Sequence, residues 1–383
     1  MTFIIFALIL SFLVLIHELG HFLAAKWAKI RVEEFGLGYP PKALVLFKKW
    51  GTVFTLNWLP FGGFVRMEGE DGEDSGALEL SVKPPQRNKK GIVLDERGEA
   101  AFFERSALER MVVILAGATT NLVFGVLAFA IVFCILGIPS GAIIDQVAPG
   151  SPAAAAGITP AVAVIGFRHQ GQVTNTGSTL EIIQFVENHR GQNVTVITTG
   201  PCQNYVCENE IKEFNSYLRT KDETPAEQGS LGLAFKGEFF KFYPWYEMPL
   251  RGSWYGFNEA LKLGQQILLA LKTLGTRLVQ VQLPEEIAGP VGIVDQAAES
   301  GLFQQGPLAL LFFAGMLSIN LGIMNLLPIP ALDGGRAVFI ILEKVIGREK
   351  MGNFEYYANY GGFVFLVALI MVITARDIWR IFT

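Results

Sequence analysis

Four stretches of this chain stay apolar for long enough to cross a hydrocarbon core, which takes about 20 residues of helix. Residues 1–25 carry no charge before Glu18, and residues 111–138 hold no ionisable side chain except the thiol of Cys134. Residues 302–332 run uncharged and lead into Asp333-Gly334-Gly335, so that the third span covers 302–335; residues 356–375 end at Arg376. Each stretch predicts a transmembrane helix. The first does not read as a cleaved signal segment, because its start has no Lys or Arg and it carries His17 and Glu18 where such a segment is purely apolar.

Between the spans the pattern changes. In the 26–110 loop, residues 52–59 are rich in β-branched and aromatic side chains, Pro60-Phe61-Gly62-Gly63 has turn chemistry, and Phe64-Val65-Arg66-Met67 leads back. This predicts a membrane-associated β-hairpin, followed over 68–100 by a polar stretch expected to be mobile. Residues 140–235 predict a compact α+β domain: a strand over 142–147, a turn at Pro149-Gly150-Ser151-Pro152, helices over 153–156 and 180–188, and a strand over 194–198. Cys202 and Cys207 read as a local disulfide rather than a metal pair, since no histidine is near. Residues 255–283 set Leu261, Ile267, Leu268, Leu271, Leu274 and Leu278 opposite a polar face. Lys262, Lys272 and Arg277 favour an amphipathic helix on the membrane surface over a fifth span.

Composition supports a membrane protein with a polar insert. The chain has 383 residues, 51% hydrophobic and 17% charged, against about 25% charged in soluble domains; its mean hydropathy is +0.38. A net charge of −4 supplies no basic field for nucleic acid. Fourteen Lys and Arg fall between Lys26 and Arg110, whereas none occurs over 137–167 or 278–333. The positive-inside rule then puts the 26–110 loop and the 336–350 segment in the cytoplasm, with both termini and the 140–235 domain outside.

The chemistry concentrates in His17-Glu18-Leu19-Gly20-His21. Two of the chain's four histidines stand four residues apart, which on a helix stacks both imidazoles on one face, as two ligands of one zinc require. Glu18 between them is placed to act as a general base on water. Three adjacent ionisable groups inside a span are costly and point to function. A catalytic zinc takes three protein ligands and keeps one open position. Asp333, the first acidic residue after the long third span, is the candidate third ligand; the alternative is a polar residue at a helix end beside Gly334-Gly335. Pro328 and Pro330 break the helix just before it, which a bilayer tolerates only where backbone is buried in protein or lines a cavity.

Together these motifs resemble the site-2 protease family of intramembrane zinc metalloproteases, and more narrowly its bacterial regulator-of-sigma-E protease branch. The resemblance extends through residues 61–67 (FGGFVRM), 115–121 (LAGATTN), 289–293 (GPVGI) and 318–325 (SINLGIMN). Residues 149–158 (PGSPAAAAGI) resemble the start of a PDZ domain, with Ala161-Val162 where Gly-Asp is usual. Gly117-Ala118 stands where the family usually has Gly-Pro.

The resemblance implies a polytopic α-helical membrane protein of the bacterial inner membrane. It has four transmembrane helices, a cytoplasmic membrane-associated β-hairpin and an extracytoplasmic α+β PDZ-like domain. It implies one Zn2+ per chain held by His17, His21 and Asp333, with Glu18 catalytic, and Asn320, Asn325, Pro328 and Pro330 handling substrate. The expected activity is regulated intramembrane proteolysis of single-span membrane proteins, such as release of anti-sigma factors or clearance of remnant signal peptides. A catalytically inert scaffold with a PDZ-like peptide-binding domain is the alternative, and the intact Glu18 argues against it. A transporter with a His/Asp relay lacks the paired half-repeats many transporters show.

Overall fold

The computed structural model describes residues 2–70, 86–87, 93–95, 97–203, 206–208, 210–226, 228–279 and 289–382. Much of the expected polar stretch 68–100, and residues 280–288, lie outside them. In chain order the elements are α1 (Thr2–Trp27), β1 (Val32–Lys49), β2 (Thr52–Met67), β3 (Gln86–Arg87), β4 (Val93–Leu94) and α2 (Ala107–Leu136). They continue with β5 (Ile138–Val147), α3 (Pro152–Ala155), β6 (Val162–His169), β7 (Gln172–Asn175), α4 (Thr179–Asn188), β8 (Asn193–Gln203), β9 (Val206–Cys207), β10 (Lys212–Tyr217) and β11 (Leu233–Lys241). Five helices follow: α5 (Met248–Val279), α6 (Pro290–Glu299), α7 (Pro307–Leu326), α8 (Asp333–Ile346) and α9 (Arg348–Phe382). The chain divides into two units, residues 1–129 with 256–383, and residues 130–255.

In the first unit, α1, α2, α7 and residues Phe354–Arg380 of α9 are long and apolar enough to cross a membrane. The third span is not one continuous helix. α7 stops at Leu326, Leu327 is extended, and a new helix, α8, begins at Asp333. Pro328 and Pro330 have no N–H to give a helix and force the residues before them out of the α region.

α1 enters two cores. Phe6 and Leu13 pack with Ala297 of α6 and with Phe313 and Leu317 of α7. Phe22 and Ala25 pack with Val32, Phe35 and Met67 of the sheet, Val113 and Ile114 of α2, and Ala337 and Ile340 of α8. α1 and α2 touch closely at Gly20, where a β-carbon would lie 2.3 Å from Thr120 Oγ1 and 2.6 Å from the Ala116 carbonyl oxygen. Small residues allow backbones to approach in this way.

The sheet differs from the expected hairpin. Residues 60–63 make no turn; they run inside the long strand β2, and the partner is β1. The turn is Trp50-Gly51, both at positive φ (52° and 77°), as a two-residue hairpin loop with the twist of its strands requires. Residues 42–49 pair antiparallel with 52–57, residues 32–37 pair antiparallel with 63–67, and residues 34–37 also pair with 53–56 with both numbers rising together. Residues 53–56 therefore lie inside the sheet, flanked on both sides. β1 was not among the expected elements, and Pro40-Pro41 within it is a pair that usually interrupts a strand. In the structure these prolines occupy the corner between the Tyr39↔Leu59 and Lys42↔Asn57 pairs, where no ladder bond is asked of them.

The second unit is built on a sheet in the order β10-β8-β6-β5-β11, with β7 beside β6 and β9 beside β8. α4 covers it with Ile182, Phe185 and Val186, which join Ile144, Val164, Phe167 and Val196 in the core. Ser178 caps α4 by accepting from the Glu181 N–H at 3.2 Å, while the Glu181 carboxylate accepts from the Gly177 N–H at 2.7 Å. That reciprocal pair stabilises a helix start. Cys202 and Cys207 are paired opposite each other in β8 and β9 and form a disulfide. The sheet extends past the expected limit of 235, because β11 pairs with β5 as far as Lys241↔Ile138.

Candidate metal centre

Two turns of one helix and the start of another converge. His17 and His21 project from the same face of α1, each only 8% exposed. Asp333 is the first residue of α8, where a carboxylate is favoured by the helix N-terminus. Its place depends on the glycines that follow. A β-carbon on Gly334 would lie 2.3 Å from the Leu327 carbonyl oxygen, and one on Gly335 would lie 2.2 Å from that of Ile329. Only glycine lets the first turn of α8 lie against the extended segment leading to it. α9 holds the same segment: Asn359 Oδ1 accepts from the Ala331 N–H at 3.0 Å.

Three ligand atoms meet there. His17 Nε2 lies 3.0 Å from Asp333 Oδ2, His21 Nε2 lies 3.5 Å from the same oxygen, and the two Nε2 atoms are 3.1 Å apart. Ligands at zinc distances of about 2.0–2.2 Å in a tetrahedral arrangement stand about 3.3 Å from one another. Among the described residues, His17, His21 and Asp333 form the group able to hold a metal ion. The donor set, two imidazoles and a carboxylate, is also one that catalytic zinc uses. Glu18 is half-buried beside them, and its carboxylate lies within Coulombic reach of His21, His17 and Asp333.

α2 supplies what the sequence reading did not assign. His21 Nδ1 bonds the Val113 carbonyl oxygen at 2.8 Å, which fixes the proton on Nδ1 and leaves the Nε2 lone pair for a metal. Gly117 faces both imidazoles, and Asn121 Nδ2 lies 3.4 Å from His17 Nδ1. The signal was present in the sequence, since residues 113, 117 and 121 recur every four positions on one face of an apolar helix.

The other candidates stand outside the cluster. Asn320 and Asn325 are half-buried on α7, Pro330 is half-buried and Pro328 exposed in the extended segment before Asp333. Ion pairs brace the elements around the site. Arg110 of α2 meets Glu343 of α8 at 2.7 Å, and Arg336 of α8 pairs with Glu70 just past β2.

The profile of peptidase family M50 matches residues 5–369. The zinc metalloprotease RasP of Geobacillus kaustophilus is 30% identical over 98% of this chain and 97% of its own length. The regulator of sigma-W protease RasP of Bacillus subtilis is 28% identical over 100% of this chain and 99% of its own. The chain belongs to peptidase family M50, the site-2 proteases, and is an intramembrane zinc metalloprotease.

Proposed function

We propose that His17, His21 and Asp333 are the zinc ligands and that Glu18 is the general base. The observation that carries this reading is the mutual spacing of Nε2, Nε2 and Oδ2 at 3.0–3.5 Å from two places in the sequence more than 300 residues apart. Zinc bound there supplies a Lewis acid for the scissile carbonyl and lowers the pKa of water. Glu18 takes the proton from the attacking water and returns it to the leaving amide nitrogen. The flanking helices keep bulk water away, so that each charge acts in a low dielectric.

The substrates are single-span membrane proteins, cut within or beside their transmembrane segments, and Asn320, Asn325, Pro328 and Pro330 line the approach to Asp333. Regulated proteolysis, with release of an anti-sigma factor as one form, fits the likeness to a relative named as a regulator of sigma-W. Clearance of remnant signal peptides is the other form. The β domain is PDZ-like and, with both termini, faces outward, a topology supported by the Lys and Arg distribution. The sheet of β1 and β2 associates with the bilayer: Tyr39, Leu44, Phe47, Trp50, Trp58, Leu59 and Phe61 are all exposed, a surface that water alone would disfavour.

The test is zinc content and cleavage of a single-span substrate by purified protein in detergent. Wild type is expected to hold about one zinc per chain. His17→Ala and His21→Ala should lose it, Asp333→Ala should weaken it, and Glu18→Gln should keep zinc and lose cleavage. Full activity in zinc-free protein, or in Glu18→Gln, overturns the assignment.

A further inference from the structure

His17 poses a problem that His21 does not. A neutral imidazole has one N–H and one lone pair, so a histidine that ligates through Nε2 must carry its proton on Nδ1, and that proton needs an acceptor. His21 has the Val113 carbonyl oxygen. Beside His17 Nδ1 stands the carboxamide of Asn121, 3.4 Å away and 1% exposed. As placed, it turns Nδ2 toward the ring and leaves Oδ1 buried without a hydrogen-bond partner. A half-turn about the carboxamide bond exchanges the two atoms. It then gives Oδ1 to the Nδ1 proton, so that the unpaired oxygen and the imidazole N–H satisfy each other. The residue is well held for this role: its main-chain carbonyl oxygen accepts from Ser318 Oγ at 2.8 Å, and Ser318 is fully buried.

We infer that Asn121 is a positioning residue for the metal centre, its carboxamide oxygen accepting the Nδ1 proton of His17 and so directing the Nε2 lone pair at the zinc. This rests on His17 being a ligand, as proposed above. α2 then serves α1 through a single stripe. Because the two helices run in opposite directions, Val113 meets His21, Asn121 meets His17, and Gly117 lies between them with no side chain. The opposite polarity, with Nδ2 donating to a bare Nδ1, would leave the proton on Nε2 and block ligation.

The two polarities separate by substitution. Aspartate can accept from Nδ1 but cannot donate to it, and alanine does neither. Zinc affinity is measured by chelator competition on full-length protein in detergent, for wild type, Asn121→Ala and Asn121→Asp. Thermal unfolding is followed with and without zinc, and the visible spectrum of the cobalt-substituted protein is recorded. Asn121→Ala should bind zinc about 10–100-fold more weakly, the usual effect of removing an outer partner of a ligating histidine. Asn121→Asp should stay within about threefold of wild type, below that range. The zinc-free melting temperature of Asn121→Asp should match wild type, and its cobalt spectrum should keep the wild-type band positions. Unchanged zinc affinity in Asn121→Ala overturns the inference, and Asn121→Asp as weak as alanine overturns the acceptor role. If Asn121→Ala does not fold, the aspartate variant decides alone. A wild type that binds no zinc overturns the ligand assignment itself, a result distinct from either.

Discussion

Gly117 stands so close to His21 that a β-carbon added to it would lie 2.4 Å from Nε2, and 2.8 Å from Nε2 of His17. The space beside the two Nε2 atoms is therefore kept open by a missing side chain. His21 cannot swing away cheaply, because its other nitrogen is bonded to Val113. If His17 and His21 ligate zinc as proposed, Gly117→Ala should place a methyl group against both Nε2 atoms and lower zinc affinity by more than about 100-fold, beyond the usual effect of an outer-shell change. Zinc titration of the variant checks this, and wild-type affinity would mean that α1 and α2 can separate at this level.

Asp377 and α6 provide a second test. Its Oδ2 accepts from the N–H groups of Gly289 and Gly292 at 2.8 and 3.0 Å, capping the start of α6 from α9. Asp377 is 6% exposed, and no side chain fits at Gly289, where a β-carbon would meet Asp377 Oδ2 at 2.7 Å. Asp377→Ala leaves buried N–H donors unpaired and should cost about 1–3 kcal/mol, read as a lower unfolding midpoint in detergent. Asp377→Asn keeps an acceptor oxygen and should lose less. Equal losses would show that the charge, rather than the hydrogen bonds, holds α6.

The sequence made the candidate metal ligands legible and left the groups around them hidden, for one physical reason. Residue types able to bind a metal are rare in an apolar chain, so His17, His21 and Asp333 stand out. The groups that orient them are a main-chain carbonyl at Val113, an absent side chain at Gly117 and a common amide at Asn121, none of which announces a role by type. The spans were legible because a bilayer demands long apolar runs. The sheet was misread because strand pairing is non-local: nothing within residues 52–67 says that residues 32–49 will flank residues 53–56 on both sides. The break in the third span was legible, since prolines cannot continue a helix.

In the loop before α2, Asp95 binds the backbone of Arg97 and Glu99. Its Oδ1 accepts from the Arg97 and Glu99 N–H groups at 2.9 and 2.8 Å, and Arg31 Nε lies 3.4 Å from Oδ2. Burial pushes this carboxyl up, but the two backbone bonds and the guanidinium groups of Arg31 and Arg97 outweigh it and hold it below the ordinary carboxylate range. A depressed pKa contributes stability that is present above the unfolded value and is lost as pH falls through the folded one. Asp95→Asn should therefore unfold at a lower temperature than wild type at pH 7. The gap should begin to narrow at about pH 4, where the unfolded carboxyl takes up its proton, and keep shrinking as pH falls further. Paired melting curves at the two pH values decide it, and a gap that does not change with pH would remove the charge from the explanation.

The last prediction concerns how a helical substrate is opened. Unwinding strips a helix of its own hydrogen bonds, and an unpaired strand edge can replace part of them by strand addition. Thr55 is no such edge, because it sits mid-sheet: it pairs with Val45 and Gly36, and its Oγ1 donates to Glu34 at 2.7 Å. Proline there would break the sheet whichever way the N–H points. Among the described residues, 63–67 pair on one side only, with 32–37. This strand end also lies against α1 just ahead of His17. Gly62 N–H donates to Ser11 Oγ at 3.2 Å, and a β-carbon on Gly63 would lie 2.6 Å from Leu15 Cδ2. Neighbouring N–H groups along a strand point to opposite sides, so proline at Phe64 or at Val65 removes an outward donor in one case and a ladder donor in the other. The outward variant should keep zinc and cut helical substrates about tenfold more slowly, the effect of one lost hydrogen bond. Glycine or proline near the scissile bond of the substrate should restore part of the rate, because less helix then remains to be opened. Wild-type rates in both variants, or no rescue by helix breakers, would exclude pairing along this edge.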